Sequence, residues 1–123
     1  MKNNPDPIPE GTVLIKAREY EGREDLIQLM IPDTVREIGP SAFADCINLE
    51  YVRLPAGLTR IRKSLFSGCT SLKSIEIPSS VTSIGEWAFR GCGNLRKITI
   101  PASVTEIAAE AFLSCPYQEE ILS

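Results

Sequence analysis

Four cysteines and the absence of histidine frame the chemistry open to this 123-residue chain. A thiol attacks through its thiolate, which needs an electropositive, accessible setting with a base beside it. Without histidine, Cys-His and Ser-His pairs, imidazole metal ligation and histidine acid/base catalysis are all excluded. The thiols of Cys46, Cys69, Cys92 and Cys115 recur at a fixed interval of 23 residues. Zinc ligation asks for paired cysteines that converge on one point, whereas a fixed interval places one thiol per structural unit along a line, so no metal is expected. Units stacked about 4.8 Å apart bring neighbouring cysteines within disulfide range, but side chains running side by side oppose the bond's geometry. Reduced, buried thiols that pack are the expectation. No G-x-x-x-x-G-K loop occurs, so no nucleotide or other cofactor is expected. No catalytic residue is assigned, and the chain reads as non-enzymatic.

The elements that carry the cysteine column follow the same interval. Proline recurs at Pro9, Pro32, Pro55, Pro78 and Pro101, and phenylalanine at Phe43, Phe66, Phe89 and Phe112. Apolar columns run through Ile15, Ile38, Ile61, Ile84 and Ile107, and through Leu29, Val52, Ile75, Ile98 and Ile121. A repeat of this length changes the fold expectation before any local reading. Five units fit: residues 9–31, a worn, cap-like first unit, then 32–54, 55–77, 78–100 and a terminal 101–123, behind an N-terminal extension over 1–8. In Leu49-Glu50-Tyr51-Val52-Arg53-Leu54 the alternation predicts a strand with Val52 and Leu54 inward and Tyr51 and Arg53 outward. Pro55 ends it, lacking the N–H a ladder needs. A short extended arm at Val81-Thr82-Ser83-Ile84 leads through Gly85 to Ala88, Phe89 and Cys92, whose spacing fits one face of a helical turn. Gly39, Gly85 and Gly57 are expected to supply tight turns. No unit this short buries its apolar face alone, so the units must stack into a solenoid with a continuous core.

The run Cys69-Thr70-Ser71-Leu72-Lys73-Ser74-Ile75-Glu76-Ile77-Pro78, followed by Val81, Ile84, Gly85, Ala88 and Phe89, resembles the BspA-like leucine-rich repeats. The likeness covers residues 32–115. It implies an α/β solenoid, a right-handed coil with a parallel β-sheet on one face and short helical or 3-10 turns on the other. It also implies an interaction module of the kind found on bacterial surfaces, where such repeats engage host proteins. The first unit departs from the pattern, with Tyr20, Arg23 and Thr12 in the phenylalanine, cysteine and valine columns. That suits a cap that meets water on one side.

Outward strand positions change from unit to unit while the core does not, and they supply the candidate partner-binding residues: Tyr51, Arg53, Lys73, Glu76, Arg96 and Lys97, with Gln28, Met30, Glu50, Ser74 and Thr99 beside them. Register places Glu50 beside Lys73, Arg53 beside Glu76 and Arg96 beside Glu119, so the face reads either as a solvated ladder of ion pairs or as a selected binding surface. Trp87, where other units hold Ser41, Ser64 and Glu110, reads either as an interface anchor or as cover for a gap on the turn side. A net charge of −3 and a pI near 5.0 disfavour nucleic acid and anionic membrane as partners. Apolar stretches stay far below the roughly 20 residues that span a bilayer. Residues 1–10 have no apolar segment of the kind an export signal needs. The compartment stays open: Met1 as the native start implies the cytoplasm, and a piece of a larger exported protein implies the extracellular side or cell surface. The expected partner is a protein. The alternative is a structural block that joins copies of itself through its solenoid ends, where strand edges lack partners.

Overall fold

Each strand stops where proline denies it a donor, and the same proline's carbonyl closes the turn that follows. The computed structural model describes residues 7–116. In it, Val35, Leu58, Val81 and Val104 donate their N–H groups to the carbonyls of Pro32, Pro55, Pro78 and Pro101 at 3.1–3.2 Å. Before each turn lies a three-residue strand: β2 (Gln28–Met30), β4 (Tyr51–Arg53), β6 (Ser74–Glu76) and β8 (Lys97–Thr99), joined in that order into one parallel sheet. Tyr51 and Arg53 face out while Val52 and Leu54 are buried, as the alternation requires.

After each turn comes a second, two-residue strand: β1 (Leu14–Ile15), β3 (Glu37–Ile38), β5 (Arg60–Ile61), β7 (Ser83–Ile84) and β9 (Glu106–Ile107). These arms form parallel ladders of their own, β1 with β3 and β5-β7-β9. The chain therefore carries two faces of sheet rather than the one expected from its sequence.

The remaining stretch corrects the expectation of helical or 3-10 turns: no helix forms among the described residues. Two positions per coil take the left-handed conformation. The first is filled by Arg18, Ser41, Ser64, Trp87 and Glu110, the second by Gly22, Asp45, Gly68, Gly91 and Ser114. Left-handed residues break a helix. The hydrogen bonds then alternate: Ser41, Phe43 and Asp45 donate to Lys63, Leu65 and Ser67 of the next coil, while Ala42 and Ala44 close local turns onto Gly39 and Ser41. Gly39 and Gly85 open these turns, accepting from Ala42 and Ala88; neither has a positive φ, and glycine is needed there for close approach, since a Cβ would collide with the backbone of Ala17 and of Arg62 and Lys63.

Inside the coils the aromatic column stacks. Ring centroids from Tyr20 through Phe43, Phe66 and Phe89 to Phe112 are 5.3–5.9 Å apart, with interplanar angles of 18° or less. Tyr20 ends the stack as a cap: its hydroxyl donates to Pro7 O at 3.0 Å, and the Arg23 guanidinium lies 5.8 Å from its ring centroid. At the other end cover thins, since Ile15, Ile38, Ile61 and Ile84 are each 1% exposed and Ile107 is 37% exposed.

Candidate functional site

The strand pairing that buries Leu29, Val52 and Ile75 necessarily lines up what lies between them on the outer side. Gln28 pairs with Tyr51 and Met30 with Arg53, Tyr51 with Ser74, Ser74 with Lys97 and Glu76 with Thr99. Tyr51, Arg53, Glu76 and Lys97 thus stand on one sheet, with Lys73 and Arg96 immediately before β6 and β8. Met30 and Tyr51 keep large apolar surfaces in solvent there, 52% and 39% exposed. Between β4 and the turn after β8 the face dips into an open groove of about 380 Å³, bordered by Tyr51, Arg53, Glu76, Thr99 and Pro101.

Its ion pairs differ in part from those expected. Lys73 Nζ does reach Glu50, at 3.4 Å. Arg53 does not turn to Glu76: its guanidinium makes two 3.2 Å hydrogen bonds to the carboxylate of Asp33, in the preceding proline turn. Asp33 also accepts the N–H of Ala56 at 2.8 Å. The Arg53 guanidinium, with that N–H, holds the Asp33 carboxyl below the usual carboxylate range. Asp33 was missed from sequence because it lies outside the strand register; a two-pronged arginine contact still needs only one carboxylate in reach. The expected pair of Arg96 with Glu119 lies outside the described residues, as does Ile121.

Trp87 is not on this sheet. It sits half-buried in the turn stretch, its indole Nε1–H donating to Glu110 Oε1 of the following coil at 2.9 Å. Lys63 Nζ and the Arg90 guanidinium each lie 5.3 Å from its ring centroid. Between β3 and β5, Glu37 Oε1 takes Arg60 and Arg62 at 3.7 and 3.6 Å.

The cysteines behave as packing groups. All four are free and buried. Each donates its thiol to the carbonyl of the aromatic residue one coil earlier: Cys46 to Tyr20, Cys69 to Phe43, Cys92 to Phe66 and Cys115 to Phe89, at 3.1–3.3 Å. Burial pushes the Cys46 thiol up to about 11 and raises Cys69 further, the reverse of what a nucleophile needs. Among the described residues no cluster of three or more histidine, cysteine or acidic side chains is placed to hold a metal ion. No helix there is long and apolar enough to cross a membrane.

This geometry has known counterparts. Residues 7–121 match the BspA type leucine rich repeat region, in six copies. The chain is similar to a leucine rich cell surface protein of Faecalibacterium prausnitzii, with 39% identity and a TM-score of 0.85 over 89% of this chain and 30% of that one. It is similar to a leucine-rich repeat protein of Bacteroides ovatus, with 44% identity and a TM-score of 0.78 over 82% and 26%. The leucine-rich repeat protein of T. pallidum gives 35% identity and a TM-score of 0.80 over 92% and 52%. The chain thus spans roughly a quarter to a half of the length of these proteins. No curated protein matches it.

Proposed function

The chain belongs to the BspA-type leucine-rich repeat family, and on that premise we propose that it is a non-enzymatic module that recognises a protein partner through the outer face of the β2-β4-β6-β8 sheet. The observation that carries this reading is the contrast across one strand thickness. The inward position stays aliphatic at Leu29, Val52, Ile75 and Ile98, while the outward positions run Gln28, Tyr51, Ser74, Lys97 and Met30, Arg53, Glu76, Thr99. Folding asks only for the first set. The second offers exposed Met30 and Tyr51 beside Arg53, residue types that anchor interfaces. Tyr51, Arg53, Lys73, Glu76, Arg96 and Lys97 form the contact surface in this proposal.

The partner we infer is a host extracellular protein, with the chain acting at a bacterial surface. Support comes from the family and from the F. prausnitzii counterpart, which is described as a cell surface protein. The test is binding to an array of extracellular matrix proteins by the native chain and by a variant with Tyr51, Arg53, Lys73, Arg96 and Lys97 all replaced by serine. A second variant, with Thr59, Thr82 and Thr105 replaced by serine near the other sheet, is the control. The expected result is a matrix protein held by the native and control chains and lost by the first variant. Equal retention by all three refutes the assignment of the face.

A further inference from the structure

We infer that Arg36, Arg60 and Arg62 form a second binding site, at the seam between β3 and β5, for a sulfated polysaccharide. The arms pair from coil to coil except at this junction. Gly39, Gly85 and Ala108 donate their N–H groups to Ile15, Ile61 and Ile84 at 2.7–2.9 Å, and Arg36, Thr82 and Thr105 donate theirs to Val13, Thr59 and Thr82 at 2.8–2.9 Å. The equivalent bonds from Arg62 to Ile38 and from Thr59 to Arg36 are not formed, and β3 and β5 belong to different ladders. The position is glycine or alanine at the paired junctions and Arg62 at this one, and a Cβ on Gly39 or Gly85 would meet the backbone of the preceding coil. The seam therefore leaves the N–H groups of Thr59 and Arg62 without a cross-coil acceptor, beside guanidinium groups.

The charges at the seam point to the ligand. Arg60 and Arg62 share one oxygen of Glu37 at 3.7 and 3.6 Å, too long for hydrogen bonds, so their donors stay open. Arg36 is exposed and forms no ion pair among the described residues. The other charges of the arms balance: Lys16 has the Glu19 carboxylate on its own N–H, Lys63 stands one coil from Glu86, and Glu106 lies two coils from Arg60. Three arginines thus stand against the single carboxylate of Glu37, on a chain of net charge −3. Glu37 draws two guanidinium groups together before any ligand arrives, and a sulfate ester offers three acceptor oxygens, enough for both. Thr59, Thr82 and Ser83 beside them supply hydroxyls that suit a sugar. No aromatic ring stands among the outward residues of the arms, Leu14, Glu37, Arg60, Ser83 and Glu106, on which the bases of a nucleic acid would stack.

The experiment titrates the full chain calorimetrically with a heparin oligosaccharide, its desulfated form, an oligoglutamate peptide and single-stranded oligothymidine. The expected result is saturable binding of the sulfated oligosaccharide alone, reversed by high salt. Binding should be about tenfold weaker in R60Q/R62Q and unchanged in R96Q/K97Q, which loses the same charge by the β2-β4-β6-β8 sheet. E37Q removes the competing carboxylate and should bind more tightly. Thermal melts show whether each variant keeps the fold. If R60Q/R62Q melts low, E37Q decides: tighter binding supports the site, and unchanged or weaker binding refutes it. The proposal is overturned by no binding, by native affinity in R60Q/R62Q, or by an equal loss in R96Q/K97Q. Equal binding of the desulfated form, of oligoglutamate or of oligothymidine overturns it as well, the last two in favour of an acidic peptide or a nucleic acid.

Discussion

The thiol of Cys92 lies 3.2 Å from the carbonyl oxygen of Phe66, one coil back, and that oxygen also accepts the N–H of Cys69 at 3.1 Å. Both lone pairs of a buried carbonyl are thereby used, and the cysteine column is a set of hydrogen-bonding rungs between coils as well as a packing column.

Thiol chemistry follows from that placement. At neutral pH the native chain is expected to resist a thiol-modifying disulfide reagent, and the unfolded chain to react at all four cysteines. Burial raises the Cys46 pKa above its ordinary value of 9.0 to about 11, so the unfolded state ionises first as pH rises. Stability from this thiol is therefore complete below pH 9.0 and is lost as pH climbs toward 11. Chemical denaturation across that range, read beside Cys46→Ala, measures it; a flat profile for the native chain would contradict it.

Phe66 is stacked between Phe43 and Phe89, at 5.9 and 5.7 Å, and is fully buried. Phe66→Ala is expected to cost about 3–5 kcal/mol. Tyr20→Phe removes only the hydroxyl bond to Pro7 and should cost about 1 kcal/mol. Urea unfolding of the two variants gives the comparison.

Gly39 and Gly57 separate steric need from turn preference. A Cβ at Gly39 meets the backbone of the preceding coil, while one at Gly57 meets nothing within 4 Å. Gly39→Ala should destabilise by about 1–3 kcal/mol, and Gly57→Ala should be neutral or stabilising by up to about 1 kcal/mol.

The Arg53 contact with Asp33 should be acid-sensitive. The carboxyl is held below its ordinary value by Arg53 and by the Ala56 N–H, so the pairing is present above the ordinary carboxylate pKa and is lost as pH falls through the lowered one. Distinct Arg53 Nη–H resonances, from the two groups that donate to Asp33, are expected at neutral pH, lost on acidification and absent in Asp33→Asn.

The repeat made most of the architecture readable before any coordinates. Proline, phenylalanine, cysteine and aliphatic columns return in unit after unit, and a strand ending at proline has one physical reading. The turn stretch was not readable in the same way. Ala88, Phe89 and Cys92 project inward at a spacing that a helical turn and a run of alternating right- and left-handed residues both satisfy. Ser41, Ser64 and Trp87 give no hint of a positive φ, because they are not glycine. On the outer face, register alone predicted Glu50 with Lys73, whose strands are adjacent. It failed for Arg53, whose long side chain reaches Asp33 outside the ladder. The partners of Trp87 were hidden for a related reason, since Lys63 and Glu110 come from the coils before and after it.

The most direct test of the account is oxidative footprinting of the chain alone and in complex with a matrix protein it retains, read at Met30 and Tyr51. The account predicts that both are oxidised in the free chain, as their exposure requires, and are protected in the complex, while Val13 and Leu14 stay accessible. Protection of Val13 and Leu14 with Met30 and Tyr51 still oxidised would contradict recognition through the β2-β4-β6-β8 face.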